Sequence, residues 1–249
     1  MSKIKVFCFP YAGGAASIYS KWKTSLHHAD IEWVPVELAG RGKRIREPLY
    51  TGLPEAVEDL YEIISHQLND QPYALFGHSL GGLLIYELAR EIDKRDGRRP
   101  LHLFFSGRGA PSVSREKINY HLMGEDEFRK EVLDLGGTPR EIFDHPELIE
   151  LFLPLLRNDF KLAETDLTGQ EATSFDCDIT VFLGKEDAEI TPEQAEGWKR
   201  HTKGVCTFHY FNGGHFFIHG ETFRITRMIS NTLGKTASKN LFQLNDNLL

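Results

Sequence analysis

Tyr73-Ala74-Leu75-Phe76-Gly77-His78-Ser79-Leu80-Gly81-Gly82 is the stretch on which the reading of this chain turns. A short apolar run, Tyr73–Phe76, meets a glycine, a serine follows between glycines 77 and 81, and helical spacing begins at Gly82. A strand that becomes a helix within so few residues bends too sharply for flanking side chains, and glycine removes them. A serine at the bend is lifted above the sheet, with the dipole of the following helix pointing at it. Gly-x-Ser-x-Gly between a strand and a helix is a nucleophile elbow, so Ser79 is the candidate nucleophile.

The same order recurs on both sides of the elbow. Ile4–Phe9, Trp33–Leu38, Leu101–Phe105, Ile179–Leu183 and Cys206–Phe211 are continuous apolar runs, as expected of parallel strands buried on both faces. Helical patterns lie near Ser17–His27, Leu53–Leu68, Gly82–Asp93, Pro192–His201 and Thr222–Leu233. The fold class is therefore α/β, a mostly parallel sheet with helices on both faces and right-handed crossovers. Seventy-three residues separate Phe105 from Ile179, far more than a crossover needs. They carry helical patterns at Glu125–Leu135, Pro146–Leu156 and Asn158–Asp166, with Leu148, Ile149, Phe152, Leu155 and Leu156 on an apolar stripe. The expected organisation is a core of residues 1–107 and 174–234, an inserted helical lid at 108–173, and a flexible polar tail at 235–249.

Composition excludes several classes of function. Of 249 residues, 41 % are hydrophobic and 26 % charged, as in an ordinary globular protein. A net charge of −7 gives no broad basic surface for nucleic acid or anionic membranes. Cys8, Cys177 and Cys206 are odd in number and far apart, which fits reduced thiols and neither a disulfide framework nor a zinc site. The apolar run before Pro10 is too short for a signal peptide, and no stretch is long enough to span a bilayer. The expected location is the cytoplasm, and the expected state a monomer. Gly234-Lys235-Thr236 resembles the end of a phosphate loop, but Ile229 stands where its first glycine belongs, and no Gly-x-Gly-x-x-Gly fingerprint occurs.

A serine hydroxyl needs an imidazole to take its proton, and in this fold order the base lies late in the chain. His215 meets that requirement: it follows the run Cys206–Phe211 and the turn Asn212-Gly213-Gly214. His209 lies within a strand, His219 beyond the loop, and His27, His28, His66 and His201 on helical segments. The orienting acid should follow an intervening strand. Asp187 in Gly184-Lys185-Glu186-Asp187 is the choice, with Glu186 its rival and Asp176 and Asp178 at the opposite end of the strand. Oxyanion donors are assigned to the amides of Leu80, directly after the nucleophile, and Ala12 in the glycine-rich loop after the first strand, with Tyr11 as the alternative to Ala12. No metal and no cofactor are required.

These residues resemble the type II thioesterases of nonribosomal peptide and polyketide synthesis, a branch of the α/β-hydrolases. The resemblance covers nearly the whole chain. It is carried by Phe9-Pro10-Tyr11-Ala12-Gly13-Gly14, by Glu37-Leu38-Ala39-Gly40-Arg41-Gly42 with Arg44, by the Gly77–Gly82 elbow, and by Leu156-Arg157-Asn158-Asp159-Phe160-Lys161. Ala39 stands where many members have proline. The resemblance implies Ser79, Asp187 and His215 as a triad, and removal of wrong acyl or aminoacyl groups from the phosphopantetheine arms of acyl or peptidyl carrier domains. Arg41, Lys43, Arg44 and Arg46 form a basic run suited to an acidic carrier or its phosphate. The alternatives are a medium-chain acyl-carrier-protein thioesterase that releases fatty acids and a noncatalytic acyl-binding protein of the same fold.

Overall fold

A computed structural model describes residues 3–24, 30–68, 71–138 and 140–246. Six parallel strands, β1 (Ile4–Phe9), β2 (Ile31–Pro35), β3 (Tyr73–His78), β4 (His102–Ser106), β5 (Asp178–Gly184) and β6 (Cys206–Phe211), form one sheet in the order β2-β1-β3-β4-β5-β6. The apolar runs are continuous because both faces are covered. Phe7, Phe9, Leu75, Phe105 and Val181 point into one core with α1 (Leu53–Ser65) and α2 (Leu80–Asp96). Val6, Cys8, Phe76, Phe104 and Phe182 point into the other. That second core is closed by a 3-10 helix at Ala16–Thr24, through Tyr19 and Trp22, and by the carboxyl-terminal helix through Ile225, Ile229 and Leu233.

The sheet order reverses at β1, whose neighbours are β2 on one side and β3 on the other. The loops after β1 and β3 leave the sheet there in divergent directions and open a crevice, the usual place for a ligand in such sheets. Phe9 pairs with Gly77 in register, so the glycine loop after β1 and the elbow after β3 begin side by side.

Between β4 and β5 lie α3 (Glu125–Leu135) and α4 (Pro146–Ala163), with 3-10 turns at Tyr120–Leu122 and Arg140–Asp144. The two patterns read at Pro146–Leu156 and Asn158–Asp166 are one helix. Leu153, Leu156, Asp159 and Leu162 are all buried at spacings of three, and Pro154 does not interrupt it. Tyr120, Phe128, Val132, Leu153 and Leu156 make a small core of their own, with Ala12 of the sheet loop packed against it. Leu148, expected on the buried stripe, is 45 % exposed.

Other boundaries differ from the sequence reading. β2 is displaced toward the amino terminus, to Ile31–Pro35, and only the Val36 amide continues its ladder, to the Cys8 carbonyl at 2.9 Å. Pro35 has no amide to donate, and the chain turns away beyond it. The first helical pattern is a 3-10 helix, and its end at His27 lies outside the described residues, as does His28. Pro192–His201 divides into α5 (Pro192–Glu196), capped by Thr191, and a 3-10 turn at Gly197–His201. After α6 (Phe217–Gly220), α7 runs from Thr222 to Asp246, past Leu233 and through Gly234. The polar segment assigned to a flexible tail is thus helical to Asp246. It contains no proline, and one interior glycine costs a helix only about 1 kcal/mol.

Candidate active site

At the end of β3 the chain performs the bend that the sequence requires. Ser79 has φ 54° and ψ −111°, and it is the single non-glycine residue with positive φ among those described. A Cβ on Gly77 would lie 2.1 Å from the Gly81 carbonyl oxygen, and one on Gly81 would lie 2.2 Å from the Phe9 carbonyl oxygen. Both glycines are therefore dictated by contact with backbone. The strained serine is held by its amide, which donates to the Ser106 carbonyl at 2.8 Å, and by its own carbonyl, which accepts from Gly82 at 2.9 Å. The Leu80 amide opens α2, and Ala12 follows β1 in the adjoining loop. Among the described residues neither amide donates to a protein acceptor.

His215 and Asp187 come from the loops after β6 and β5. The Nδ1 of His215 lies 2.9 Å from Oδ2 of Asp187, whose side chain is 1 % exposed. The rival acids are engaged elsewhere: Glu186 accepts from the Gly213 amide, Asp176 pairs with Arg99 and Lys203, and Asp178 accepts from the Val205 amide. The other candidate histidines among the described residues lie away from this pair. His201 is buried between Ser112 and the Thr173 carbonyl, His209 packs by Phe182 in β6, His66 is exposed at the end of α1, and His219 meets the Tyr11 hydroxyl at 3.0 Å.

Ser79, Ala12 and His215 line a single cavity of about 400 Å³. Most of its wall comes from the segment between β4 and β5, including Tyr120, Val132, Leu135, Leu156 and Phe160, with Phe216 beside His215. The cavity is of the size and mixed lining usual for small-molecule sites.

Residues 4–233 match the family model described as Thioesterase domain. The chain belongs to the thioesterase family. Linear gramicidin dehydrogenase LgrE of Brevibacillus parabrevis is 37 % identical over 93 % of this chain and 88 % of its own length. Gramicidin S biosynthesis protein GrsT of Aneurinibacillus migulanus is 35 % identical over 93 % of this chain and 90 % of its own. The solved structure of ClbQ from the colibactin NRPS/PKS pathway has a TM-score of 0.89 at 33 % identity, covering 95 % of this chain and 99 % of that one.

Two of the four basic residues assigned to carrier contact are consumed inside the thioesterase. Arg41 is 4 % exposed and forms a two-pronged pair with Asp159 at 2.6 and 2.7 Å. Arg44 is gripped by Asp59 at 2.7 Å and by Glu47, which hold its guanidinium charged. Lys43 and Arg46 point outward.

Three features of the site were missed by sequence reasoning. His78, the variable residue of the elbow, is fully buried with Nδ1 2.8 Å from the Ser106 hydroxyl and its ring 5.4 Å from that of His215. Burial pushes its pKa well below the usual histidine range, and the nearby His215 lowers it further, so His78 is neutral. Gly107, at φ 58°, makes room for it, because a Cβ there would lie 2.7 Å from its Cε1. The Tyr11–His219 hydrogen bond ties the loop after β1 to α6, directly beyond the loop that carries His215. Finally, the segment Arg157–Lys161 fastens α4 to the rest of the molecule. Arg157 donates to the His121 and Met123 carbonyls, Asn158 to the Tyr50 carbonyl at 2.7 Å, and Lys161 to the Thr51 carbonyl at 3.1 Å. The sequence did offer a signal for Asp159, a charged residue in register with an apolar helix stripe.

Among the described residues, no group of three or more His, Cys, Asp or Glu side chains could hold a metal ion, and no helix is long and apolar enough to cross a membrane.

Proposed function

We propose that this protein is a serine thioesterase that clears wrong acyl or aminoacyl groups from the phosphopantetheine arms of carrier domains of a nonribosomal peptide or polyketide synthase. The observation that carries the reading is that His215, paired with Asp187, shares a cavity with a serine on a strained elbow, in a chain belonging to the thioesterase family. Asp187 accepts a hydrogen bond from the Nδ1–H of His215, which keeps the proton on Nδ1 and leaves Nε2 free to take the proton of Ser79. Ser79 Oγ attacks the thioester carbonyl, and the amides of Ala12 and Leu80 receive the oxyanion. As the tetrahedral adduct collapses, the C–S bond breaks and the imidazolium protonates the departing thiolate. His215 then activates water against the acyl-Ser79 ester, and Ser79 leaves with the returned proton. These steps use side chains, backbone amides and water.

The segment at 108–173 acts as a lid that walls the acyl pocket, with residues 1–107 and 174–234 as the hydrolase core. The pathway named for ClbQ and the biosynthetic role named for GrsT support a carrier domain as partner. Lys43 and Arg46 are the exposed cations that would meet the acidic carrier or the phosphate of its arm. Three free thiols suit a reducing cytoplasm, where the enzyme acts as a monomer beside its synthase.

The test offers one short acyl group as a carrier-bound thioester, a coenzyme A thioester and an oxygen ester. An editing enzyme gives the highest kcat/KM with the carrier, because contacts remote from the carbonyl can be used in the transition state. A steep preference for medium acyl chains would instead indicate a fatty-acid chain terminator. Preference for the oxygen ester would indicate a general esterase, and acyl binding without turnover a noncatalytic protein.

A further inference from the structure

α4 meets the loop after β1 through one buried carboxylate. Asp159 is fully buried in the stripe that otherwise holds Leu153, Leu156 and Leu162. An apolar side chain there would pack the helix with no charge to desolvate, and replacing a buried ion pair by apolar residues is commonly neutral or stabilising. Packing alone therefore does not require this residue.

What Asp159 holds is backbone. Its Oδ2 accepts from the Gly13 amide at 2.7 Å and from Arg41 Nη1 at 2.6 Å, and its Oδ1 accepts from Arg41 Nη2 at 2.7 Å. Arg41 donates onward to the Gly14 carbonyl at 3.2 Å and to the Ala39 carbonyl at 3.3 Å. Carboxylate and guanidinium thus grip the chain directly after Ala12. Gly13 is in the left-handed region at φ 77°, and a Cβ there would lie 2.8 Å from Leu156 and 2.9 Å from Phe152, so α4 rests on the turn itself. The same helix lines the cavity through Leu156, Phe160 and Ala163.

We propose that Asp159, together with Arg41, is a positioning residue for the oxyanion site. It fixes the peptide that follows Ala12, and with it the direction of the Ala12 amide, so that the acyl-binding wall and the oxyanion donor move as one body. The inference rests on the reading of Ser79 as nucleophile and of Ala12 as an oxyanion donor. A donor displaced by about 1 Å costs on the order of 100-fold in rate.

Asp159→Asn keeps the shape and one acceptor oxygen but removes the charge that anchors Arg41. With a small soluble thioester, kcat is expected to fall about 10- to 100-fold while KM stays within about threefold. Affinity for a trifluoromethyl ketone that adds to Ser79 should fall by the same factor as kcat/KM, with affinity for the product acid unchanged. The pH midpoint of kcat should not move, because the His215–Asp187 pair is untouched. A residue that only stabilises the fold would lower the unfolding midpoint and leave kcat and ketone affinity of the folded variant within threefold of wild type, and that result overturns the proposal. Arg41→Lys, which keeps the charge but loses the fork, should show an intermediate loss; it carries the test if Asp159→Asn does not fold, and near-normal kcat and ketone affinity in it would be equally fatal. Ser79→Ala measured in parallel separates the two levels. Turnover by Ser79→Ala refutes the serine reading itself, whereas an inactive Ser79→Ala beside a normal Asp159→Asn refutes the positioning role alone.

Discussion

A methyl group added to Gly77 or Gly81 at the sheet would lie within 2.2 Å of backbone, whereas in the insert one added to Gly124, Gly136 or Gly169 would meet nothing within 4 Å and one added to Gly109 or Gly137 would meet side chains, Gln194 and the Phe216 ring. The contrast extends to the packing. The sheet is enclosed by two cores that bury all of β3 and β4 and all but one residue each of β1 and β5, while the insert has a core of five buried side chains and leaves Leu122, Leu148 and Leu151 exposed. In the sheet, position is dictated by steric contact, and there lie the groups that must meet a carbonyl to within fractions of an ångström. In the insert, position depends on a few polar fasteners, chiefly Arg157, Asn158, Asp159 and Lys161. A tightly packed floor and a lightly held wall suit fixed chemistry performed on varied acyl groups.

The comparison breaks if chemistry survives removal of groups on the sheet side. Ser79→Ala should lower kcat by at least about 10³-fold with the fold intact, as loss of a triad nucleophile does elsewhere. Circular dichroism and single-turnover assays check it. Asp187→Asn should cost about 10²- to 10⁴-fold, whereas Glu186→Gln should stay within about threefold because Glu186 faces the Gly213 amide. Equal losses in the two variants would remove Asp187 from its assigned role.

Most of the sheet was legible in the sequence because strands buried on both faces are spelled as uninterrupted apolar runs, and the elbow because steric exclusion leaves so few residue types. Ser79 was read from that elbow, and Asp187 and His215 were chosen by chain order and by the strands their loops follow. The insert was legible as helices but not as a wall. Its stripe at Leu148–Leu156 does not state which face meets the sheet, and Asp159 identifies its partner only through a residue 118 positions away. Arg41 and Arg44 looked like surface charge because a linear basic run does not reveal the carboxylates that fold onto it. The extension of α7 past Leu233 was not legible for another reason: a polar stretch without a clear face can still continue a helix that a core has nucleated.

The acid limb of stability should originate in the sheet. Burial lowers His102 to about 4 and pushes His78 well below its usual range. In the unfolded chain both titrate near 6.5, so below that pH the unfolded state binds protons that the native state refuses. Stability is complete above pH 6.5 and falls as pH drops toward 4, by about 3 kcal/mol from His102 alone. Denaturant midpoints at pH 7, 6, 5 and 4 measure the slope, and His102→Leu should flatten it. A flat profile in the wild type would mean that these two histidines are not buried as neutral groups.

Changes in the insert should alter which substrate is used before they alter the chemistry. Leu135→Trp, at a half-buried position on the cavity wall, reduces the space for the acyl chain. Discrimination of one methylene in an apolar pocket is worth roughly 1–3 kcal/mol. The variant should lose about tenfold in kcat/KM on octanoyl thioesters and less than about twofold on acetyl thioesters, with an unchanged unfolding midpoint. Uniform loss across chain lengths would show that the insert participates in the chemistry more directly than the comparison allows.

The smallest effect belongs to the outer surface. Lys43 and Arg46 flank the buried Arg41 and the engaged Arg44, and with the half-exposed Ile45 they form an outward-facing strip beyond β2. Exposed charges are screened by salt and interact weakly one at a time, so Lys43→Glu with Arg46→Glu should raise KM for a carrier-bound thioester only about three- to tenfold at low ionic strength. The same double variant should leave kcat, and KM for a free small thioester, within about twofold, because neither side chain reaches the cavity. Added salt should shrink the difference between wild type and variant as the Debye length falls from about 10 Å at 0.1 M toward about 3 Å at 1 M. An effect of equal size on carrier-bound and free substrates would place the two cations in structural support of the loop. No effect on either would move the carrier to another face, and the exposed leucines of the insert would then be the next surface to alter.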